Sequence, residues 1–137
     1  MSYTAPIKDM LFVLNELAAL KDIQQLPGCA DATDDTVQAV LEENARFMGE
    51  VVAPLNWSGD TQPGKWDNGN VTTSPGVRDA FRASGEVGRQ GIQHPTQYGG
   101  QGLPKVVGAA CMEMMQAANL SFALCPLLTD GAIEALL

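Results

Sequence analysis

Few side chains of this 137-residue sequence are of the types that carry chemistry, and they lie far apart. His94 is the only histidine, and no serine or cysteine lies in the strand-turn-helix setting of a nucleophile. A lone histidine before Pro95 is typical of an ordinary loop residue. The three cysteines, Cys29, Cys111 and Cys125, have no close spacing, which disfavours a disulfide framework or a zinc site. We therefore predict no catalytic residue and no metal ligand in this chain.

Glu113 interrupts the most apolar stretch of the sequence, Val106 to Ala118. A buried carboxylate without a partner is costly, so Glu113 lies either on a solvent-exposed stripe of its helix or in a buried ion pair or domain contact. The exposed stripe is the favoured interpretation. No second carboxylate is spaced with Glu113 on the same helix, so acid-base catalysis is not indicated.

A glycine-rich segment, Tyr98 to Pro104, precedes this apolar stretch. Gly99, Gly100 and Gly102 are expected where the backbone needs a positive φ or a close approach. The segment follows no strand and lacks the GxGxxG spacing, so it is not a dinucleotide fingerprint, and no Gly-Lys-Ser/Thr makes it a phosphate-binding loop. By itself the segment indicates only a tight turn that leads into a buried helix.

Apolar residues recur at intervals of three and four in several segments, and no segment alternates as a strand would. This pattern predicts a single all-α domain over 1–137, an up-and-down bundle of about five or six helices. An N-terminal extension helix occupies 1–22. The helical core, 33–137, contains two long loops, 54–74 and 89–103.

Local signals predict where several helices begin, end or pair. Thr33 caps the second helix, and Pro54 ends it because the ring cannot continue the hydrogen-bond ladder. Glu42 and Arg46 are spaced for a surface ion pair on the same helix. Ser74 is the predicted cap of a later helix.

The last part of the chain is predicted as a short apolar helix from about Ser121 to Leu128, followed by another that Thr129 and Asp130 cap. The sequence then stops at the apolar Leu137. A helix end rich in exposed hydrocarbon frays, so we expect the polypeptide to be a truncated piece of a longer one.

The composition disfavours several classes of partner. Sixteen acidic residues against eight scattered basic ones give a net charge of -8, which opposes binding to nucleic acid or to anionic membranes. The N-terminal segment has neither a basic n-region nor an uninterrupted apolar run, so no signal peptide or membrane span is predicted. An odd number of cysteines favours a cytoplasmic location.

The stretch from His94 to Pro104 resembles the Pro-x-x-Tyr-Gly-Gly-x-Gly motif of acyl-CoA dehydrogenases. The motif positions in this sequence are Pro95, Tyr98, Gly99, Gly100 and Gly102. The helices from Glu113 through Leu136 are similar to the same family. The segment from Asp67 to Gly76 and the N-terminal extension resemble a subgroup of that family, the long-chain and methylmercaptopropionyl-CoA dehydrogenases.

The resemblance implies a three-part FAD enzyme of fatty acid metabolism, an oxidoreductase that dehydrogenates acyl-CoA thioesters. In such an enzyme FAD lies between the middle and C-terminal domains, and a C-terminal glutamate removes the α-proton. This chain would hold no cofactor; it would contact those missing domains and form a wall of the acyl pocket. The resemblance assigns six pocket positions: Phe122, Ala123, Leu124, Leu127, Leu128 and Gly131. Ordinary core packing is the alternative for at least half of them.

Two positions depart from the subgroup's pattern. Gly88-Arg89 stands where Gly-Trp is usual, and Ser84 stands where an aromatic residue is usual. The loss of two large packing groups predicts weaker docking of that helix. A stand-alone helical protein that binds an apolar ligand or self-associates is therefore the alternative, and a subunit of separately encoded domains is a third.

Overall fold

The computed structural model describes residues 2–137, which are mainly helical and confirm the all-α prediction. Seven α-helical segments and one two-stranded hairpin lie within these residues. The helices are α1 Ile7–Phe12, α2 Leu20–Ile23, α3 Asp34–Phe47, α4 Pro54–Thr61, α5 Val77–Glu86, α6 Lys105–Ala118 and α7 Leu120–Leu136. The strands are β1 Lys65–Asp67 and β2 Asn70–Thr72. No helix in this part of the chain has the length and hydropathy needed to span a bilayer.

The N-terminal extension differs from the single helix that the sequence predicted. α1 passes into a π-helical turn, Val13–Leu17. Ala19 then adopts a left-handed conformation, with a φ of 52°, which is strained for a residue with a Cβ atom. The helix therefore ends before Ala19, and α2 is a separate single turn.

α3 begins as predicted, because the Thr36 amide donates a hydrogen bond of 3.2 Å to the Thr33 hydroxyl. Its predicted end is wrong. α3 continues through a π-helical turn, Met48–Val52, and Pro54 occupies the first position of α4. A residue in the first turn of a helix does not use its amide hydrogen, so proline can start a helix as well as end one. The predicted loop 54–74 therefore contains a helix.

The rest of that predicted loop contains a hairpin that the sequence analysis missed. β1 and β2 pair in antiparallel fashion, with Trp66 opposite Val71. Asn68 and Gly69 form the turn between them, and both have positive φ. Strands of three residues are too short to show an alternating pattern in the sequence.

Two other local predictions are wrong. Gly76, with a φ of 81°, precedes α5 where Ser74 had been predicted as the cap, and no side chain caps this helix. The predicted pair of Glu42 and Arg46 is replaced by a bidentate contact of Arg46 with Glu43, 2.7 Å at its shortest. Three- and four-residue spacings both bring side chains together on a helix, so the spacing alone did not choose between the two glutamates.

α7 is longer than predicted. It continues past Pro126 to Leu136 without the break that the pair Thr129 and Asp130 had suggested. Its start is capped by Asn119, whose side-chain oxygen accepts a hydrogen bond of 3.1 Å from the Phe122 amide.

The core lies where α6 packs between α3 and α7. Among its fully buried side chains are Val37, Leu41, Met48, Val107 and Met114. The buried Asn44 amide donates to the Cys111 carbonyl oxygen at 3.3 Å, which links α3 to α6. Glu113 is exposed on α6, so the solvent-exposed interpretation is confirmed.

Candidate functional site

The glycine-rich loop is a tight turn closed by its own backbone. The Gly102 amide donates to the His94 carbonyl oxygen at 2.9 Å, and the Gly100 amide donates to that of Pro95 at 3.1 Å. Gly99 and Gly102 have φ angles of 84° and 66°. A Cβ atom at Gly100 would lie 2.1 Å from the His94 carbonyl oxygen. The loop thus needs Gly99 and Gly102 for their positive φ angles, and Gly100 because another part of the backbone approaches it closely.

His94 is buried and contacts α7, which contradicts its interpretation as an ordinary loop residue. Its Nε2 atom lies 2.8 Å from Oδ1 of Asp130, and the residue is only 6% exposed. An ionised carboxylate only accepts hydrogen bonds, so Nε2 carries the hydrogen. Asp130 lies 36 positions further along the chain, and no local pattern in the sequence could indicate this pairing.

Gln90 makes a second link from the same loop to α7. Its Nε2 atom donates to the Pro126 carbonyl oxygen at 3.1 Å. Pro126 and Asp130 are about one helical turn apart, so Gln90 and His94 bind successive turns of α7. Proline has no amide hydrogen, which leaves the helix without one of its own hydrogen bonds at this point. We refer to Gln90 and His94 together as the α7 anchor.

A cavity of about 60 Å³ lies between α5, α6 and α7 beside this anchor. Its apolar wall includes Phe81 and Phe122, whose rings meet edge to face with centroids 6.2 Å apart. Met112 and Met115 line it from α6, and their flexible thioethers adapt readily to ligands of different shape. Such a volume accommodates roughly two water-sized groups, so this cavity fits only the end of a ligand.

The six residues predicted to face an acyl pocket lie on different sides of α7. Phe122 and Ala123 are buried in the core, and Phe122 also lines the cavity. The other four are exposed: Leu124, Leu127, Leu128 and Gly131. Leu124 is 52% and Leu128 77% accessible within residues 2–137. We call these exposed positions the α7 apolar strip.

Arg89 fills the space that the departure from Gly-Trp was expected to leave empty. Its guanidinium carbon lies 3.9 Å from the centroid of the Phe47 ring, and its side chain is 7% exposed. A guanidinium nitrogen also contacts Glu43 at 2.9 Å. Burial lowers the pKa of Arg89, and the Glu43 carboxylate opposes that shift. At this position the arginine covers the ring face in place of an aromatic residue. Ser84, the other departure, is buried and lines the cavity, so weaker docking of this helix stays a prediction.

Replacing Arg89 with alanine is expected to lower the free energy of unfolding by about 2 kcal/mol, since the Phe47 face loses its cover. Urea denaturation followed by circular dichroism measures the change. Arg46→Ala is the matched control, because it removes a contact with the same Glu43 at an exposed position. Equal effects of the two substitutions would show that the stacking on Phe47 contributes nothing.

Cys111 is buried on α6 and lines the cavity. Burial raises the pKa of its thiol from 9.0 to about 12, partly offset by Arg89. The neutral native thiol therefore stabilises the fold below about pH 9, and this contribution is lost as the pH rises towards 12.

At about pH 8 we expect iodoacetamide to modify Cys111 at least about 100-fold more slowly than the exposed Cys125. Peptide mass spectrometry of the alkylated native chain compares the two rates. In urea the rates should converge. Similar rates in the native protein would contradict the burial of Cys111.

Metal-ligating side chains do not cluster in the described residues, and the start of α6 is covered. No group of three His, Cys, Asp or Glu side chains within residues 2–137 is placed to hold a metal ion. The glycine loop does lead to a helix N-terminus, but Leu103 and Pro104 are buried there. Lys105, the first residue of α6, is paired with Glu134. The start of α6 is thus not open to a phosphate group.

The glycine-rich loop and the helices around it match a known protein family. A family profile described as "Acyl-CoA dehydrogenase, N-terminal domain" matches residues 34–137. The chain belongs to the acyl-CoA dehydrogenase family. This membership confirms the resemblance that the motif from Pro95 to Gly102 had indicated.

The chain is similar over nearly its whole length to 3-methylmercaptopropionyl-CoA dehydrogenase of Ruegeria pomeroyi (strain ATCC 700808 / DSM 15171 / DSS-3). It is 43% identical over 136 residues. The match covers 99% of this chain but only 23% of the relative, so the chain spans about a quarter of that protein's length. The N-terminal extension lies within this match, although it precedes the family profile.

Proposed function

We propose that this chain acts as the N-terminal domain of a longer FAD-dependent acyl-CoA dehydrogenase, in which it forms one wall of the acyl pocket. Membership of the family and the 23% coverage of the relative support a role as one part of a larger enzyme. FAD and the catalytic base then belong to the remaining parts. The chain contributes an apolar surface that excludes water from the acyl group.

The α7 apolar strip is the observation that carries this proposal. Leu124, Leu127 and Leu128 expose hydrocarbon on one helix, and such patches mark binding surfaces. The cavity beside Phe122 lies on the other side of the same helix. The side chains of the strip carry no charge, which suits a substrate tail that has no charge of its own.

The relative's name indicates the class of acyl group. That protein is a dehydrogenase of a 3-methylmercaptopropionyl thioester. At 43% identity over the whole chain, a short thioether-containing acyl-CoA is the first substrate to test for the longer protein. We also propose a cytoplasmic location, which the three free cysteines favour.

The test compares the longer protein with a variant of the strip. Leu128→Gln is expected to lower kcat/KM for the acyl-CoA about tenfold, because it places a polar group against the acyl chain. Leu26→Gln is the control, since Leu26 is also exposed, at 55%, but lies just after the N-terminal extension, far from α7 in sequence. If Leu128→Gln and the unchanged enzyme have equal kinetics, this face of α7 does not contact the acyl chain.

The isolated chain gives a second measurement. Mixed with FAD and passed over a sizing column, the 137-residue chain is expected to retain no flavin absorbance near 450 nm. A yellow, stoichiometric complex would overturn the assignment of FAD to the other parts of the enzyme.

A stand-alone role is the second candidate, and the same exposed leucines favour it. In that case the α7 apolar strip would hold an apolar ligand or a second copy of the chain. Sedimentation equilibrium separates the candidates: a dimer that Leu128→Gln converts to monomer supports self-association, whereas a monomer without retained acyl compounds supports the domain role.

A further inference from the structure

A groove of about 330 Å³ separates the N-terminal extension from α6. Met10 and Leu14 form its apolar wall on the extension, and Val106, Ala109 and Ala110 form the wall on α6. Small residues on α6 leave room for a third helix to approach closely. The groove lies away from the α7 apolar strip and is lined by different residues.

The extension beside this groove has an exposed apolar face of its own. Phe12, Val13 and Leu17 are 60%, 46% and 72% accessible. They lie at the π-helical turn, and the helix ends at Ala19 in a strained left-handed conformation. π-Helical turns and strained residues are frequent at functional sites. The family profile starts at residue 34, so this face lies outside the matched domain.

The first part of the chain is acidic, and two carboxylates lie in the groove itself. Ten of the sixteen acidic residues but only three of the eight basic ones lie in the first 60 positions. Asp9 and Glu113 lie in the groove and are exposed, and neither forms an ion pair within the described residues 2–137. The pKa of the nearby Tyr3 is raised, first by burial and then by the charge of Glu113.

We propose that this groove binds an amphipathic helix of a separate protein, with apolar residues on one face and lysine or arginine along its edges. The apolar face would fill the space between Val13 and Ala109, and the cations would pair with Asp9 and Glu113. A second copy of this chain is a poor occupant, because it would bring the same acidic residues to the same groove. An anionic membrane is repelled for the same reason.

The test uses the 137-residue chain and a fluorescein-labelled helical peptide of about 18 residues, with leucines on one face and lysines on the other. Fluorescence anisotropy at low ionic strength measures binding. We expect saturable binding with a dissociation constant on the order of 10 µM. A peptide with glutamate in place of every lysine should bind at least about tenfold more weakly.

Two matched pairs of variants distinguish the groove from general attraction to an acidic protein. Ala109→Arg should weaken binding at least about tenfold, because it adds bulk and positive charge inside the groove, whereas Ala117→Arg, exposed on the same helix outside it, should not. Asp9→Asn with Glu113→Gln should weaken binding about fivefold. The control Asp67→Asn with Glu86→Gln removes the same amount of charge, but on the hairpin and on α5, and should leave binding unchanged.

Several results would overturn the proposal. Absence of saturable binding, or equal effects within each matched pair, would show that the groove is not a docking site. Concentration-dependent dimers abolished by Ala109→Arg would assign the groove to a second copy. If the longer protein that contains this chain fails to bind the peptide, the occupant is a later segment of the same polypeptide.

Discussion

Replacing Gly100 with alanine is expected to lower the free energy of unfolding by about 3 kcal/mol. The added Cβ atom would lie 2.1 Å from the His94 carbonyl oxygen and 3.0 Å from that of Gly91. Both are backbone atoms, and hydrogen bonds hold them in place: His94 accepts from the Gly102 amide, and Gly91 accepts from the Gln101 amide. The loop cannot make room for the methyl group without breaking these bonds. Urea denaturation of the purified chain, followed by circular dichroism, measures the loss.

Gly108→Ala is the matched control for this prediction. A Cβ atom at Gly108 would also meet a neighbour closely, 2.3 Å from Oε1 of Gln93. That neighbour is the end of a flexible side chain, which can rotate away. Alanine also has a higher helix propensity than glycine, by about 1 kcal/mol inside a helix such as α6. We therefore expect little change or a small stabilisation. A similar loss at Gly100 and Gly108 would mean that the loop backbone is free to move.

The features of the fold that the sequence predicted correctly are those set by neighbouring residues. The cap at Thr33 needs only a hydroxyl three positions before a free amide, and the structure shows that bond. The spacing of apolar residues predicted the all-α class correctly for the same reason, because helical periodicity also depends only on nearby positions. Pro54 failed as a signal, because proline fits both the end of one helix and the first turn of the next.

The anchor residues of the candidate site could not be predicted from local pattern. The His94 contact with Asp130 joins residues 36 positions apart, and Gln90 reaches Pro126 over the same separation. A single sequence has no periodic signal for such contacts. Pro126 does not indicate the Gln90 contact either, because its missing amide hydrogen frees the carbonyl oxygen of Phe122, whereas Gln90 binds the carbonyl oxygen of Pro126 itself. The assignment of the α7 apolar strip to an acyl pocket stays a prediction.

Arg89 shows how a departure from a family pattern can mislead. The absence of an aromatic residue predicted a gap, since volume was the only property considered. A guanidinium group is planar, and over the Phe47 ring it provides contact area as well as charge. The half-exposed Glu43 carboxylate then pairs with the positive charge of Arg89 at the protein surface. The chemistry of the replacing side chain therefore decided the packing here more than its size did.

His94→Ala is expected to lower the free energy of unfolding by about 3 kcal/mol, because it removes a buried ring and leaves the Asp130 carboxylate without its hydrogen-bond partner. Asp130→Asn is the matched control. The asparagine side-chain oxygen can still accept the hydrogen bond from Nε2, so the loss should stay below about 1 kcal/mol. Calorimetry or urea denaturation gives both values on the same purified chain.

A double-mutant cycle with His94→Ala and Asp130→Ala tests whether the two residues act on each other. We expect a coupling energy of about 1 to 2 kcal/mol, since each substitution removes the same hydrogen bond. Hydrogen exchange then locates the effect: because Pro126 leaves α7 short of one internal hydrogen bond, the amides after it should lose protection first in His94→Ala. Coupling near zero, or uniform loss of protection along α7, would show that the α7 anchor does not hold this half of the helix. In that case the α7 apolar strip would owe its position to the packing of Phe122 and Ala123 alone.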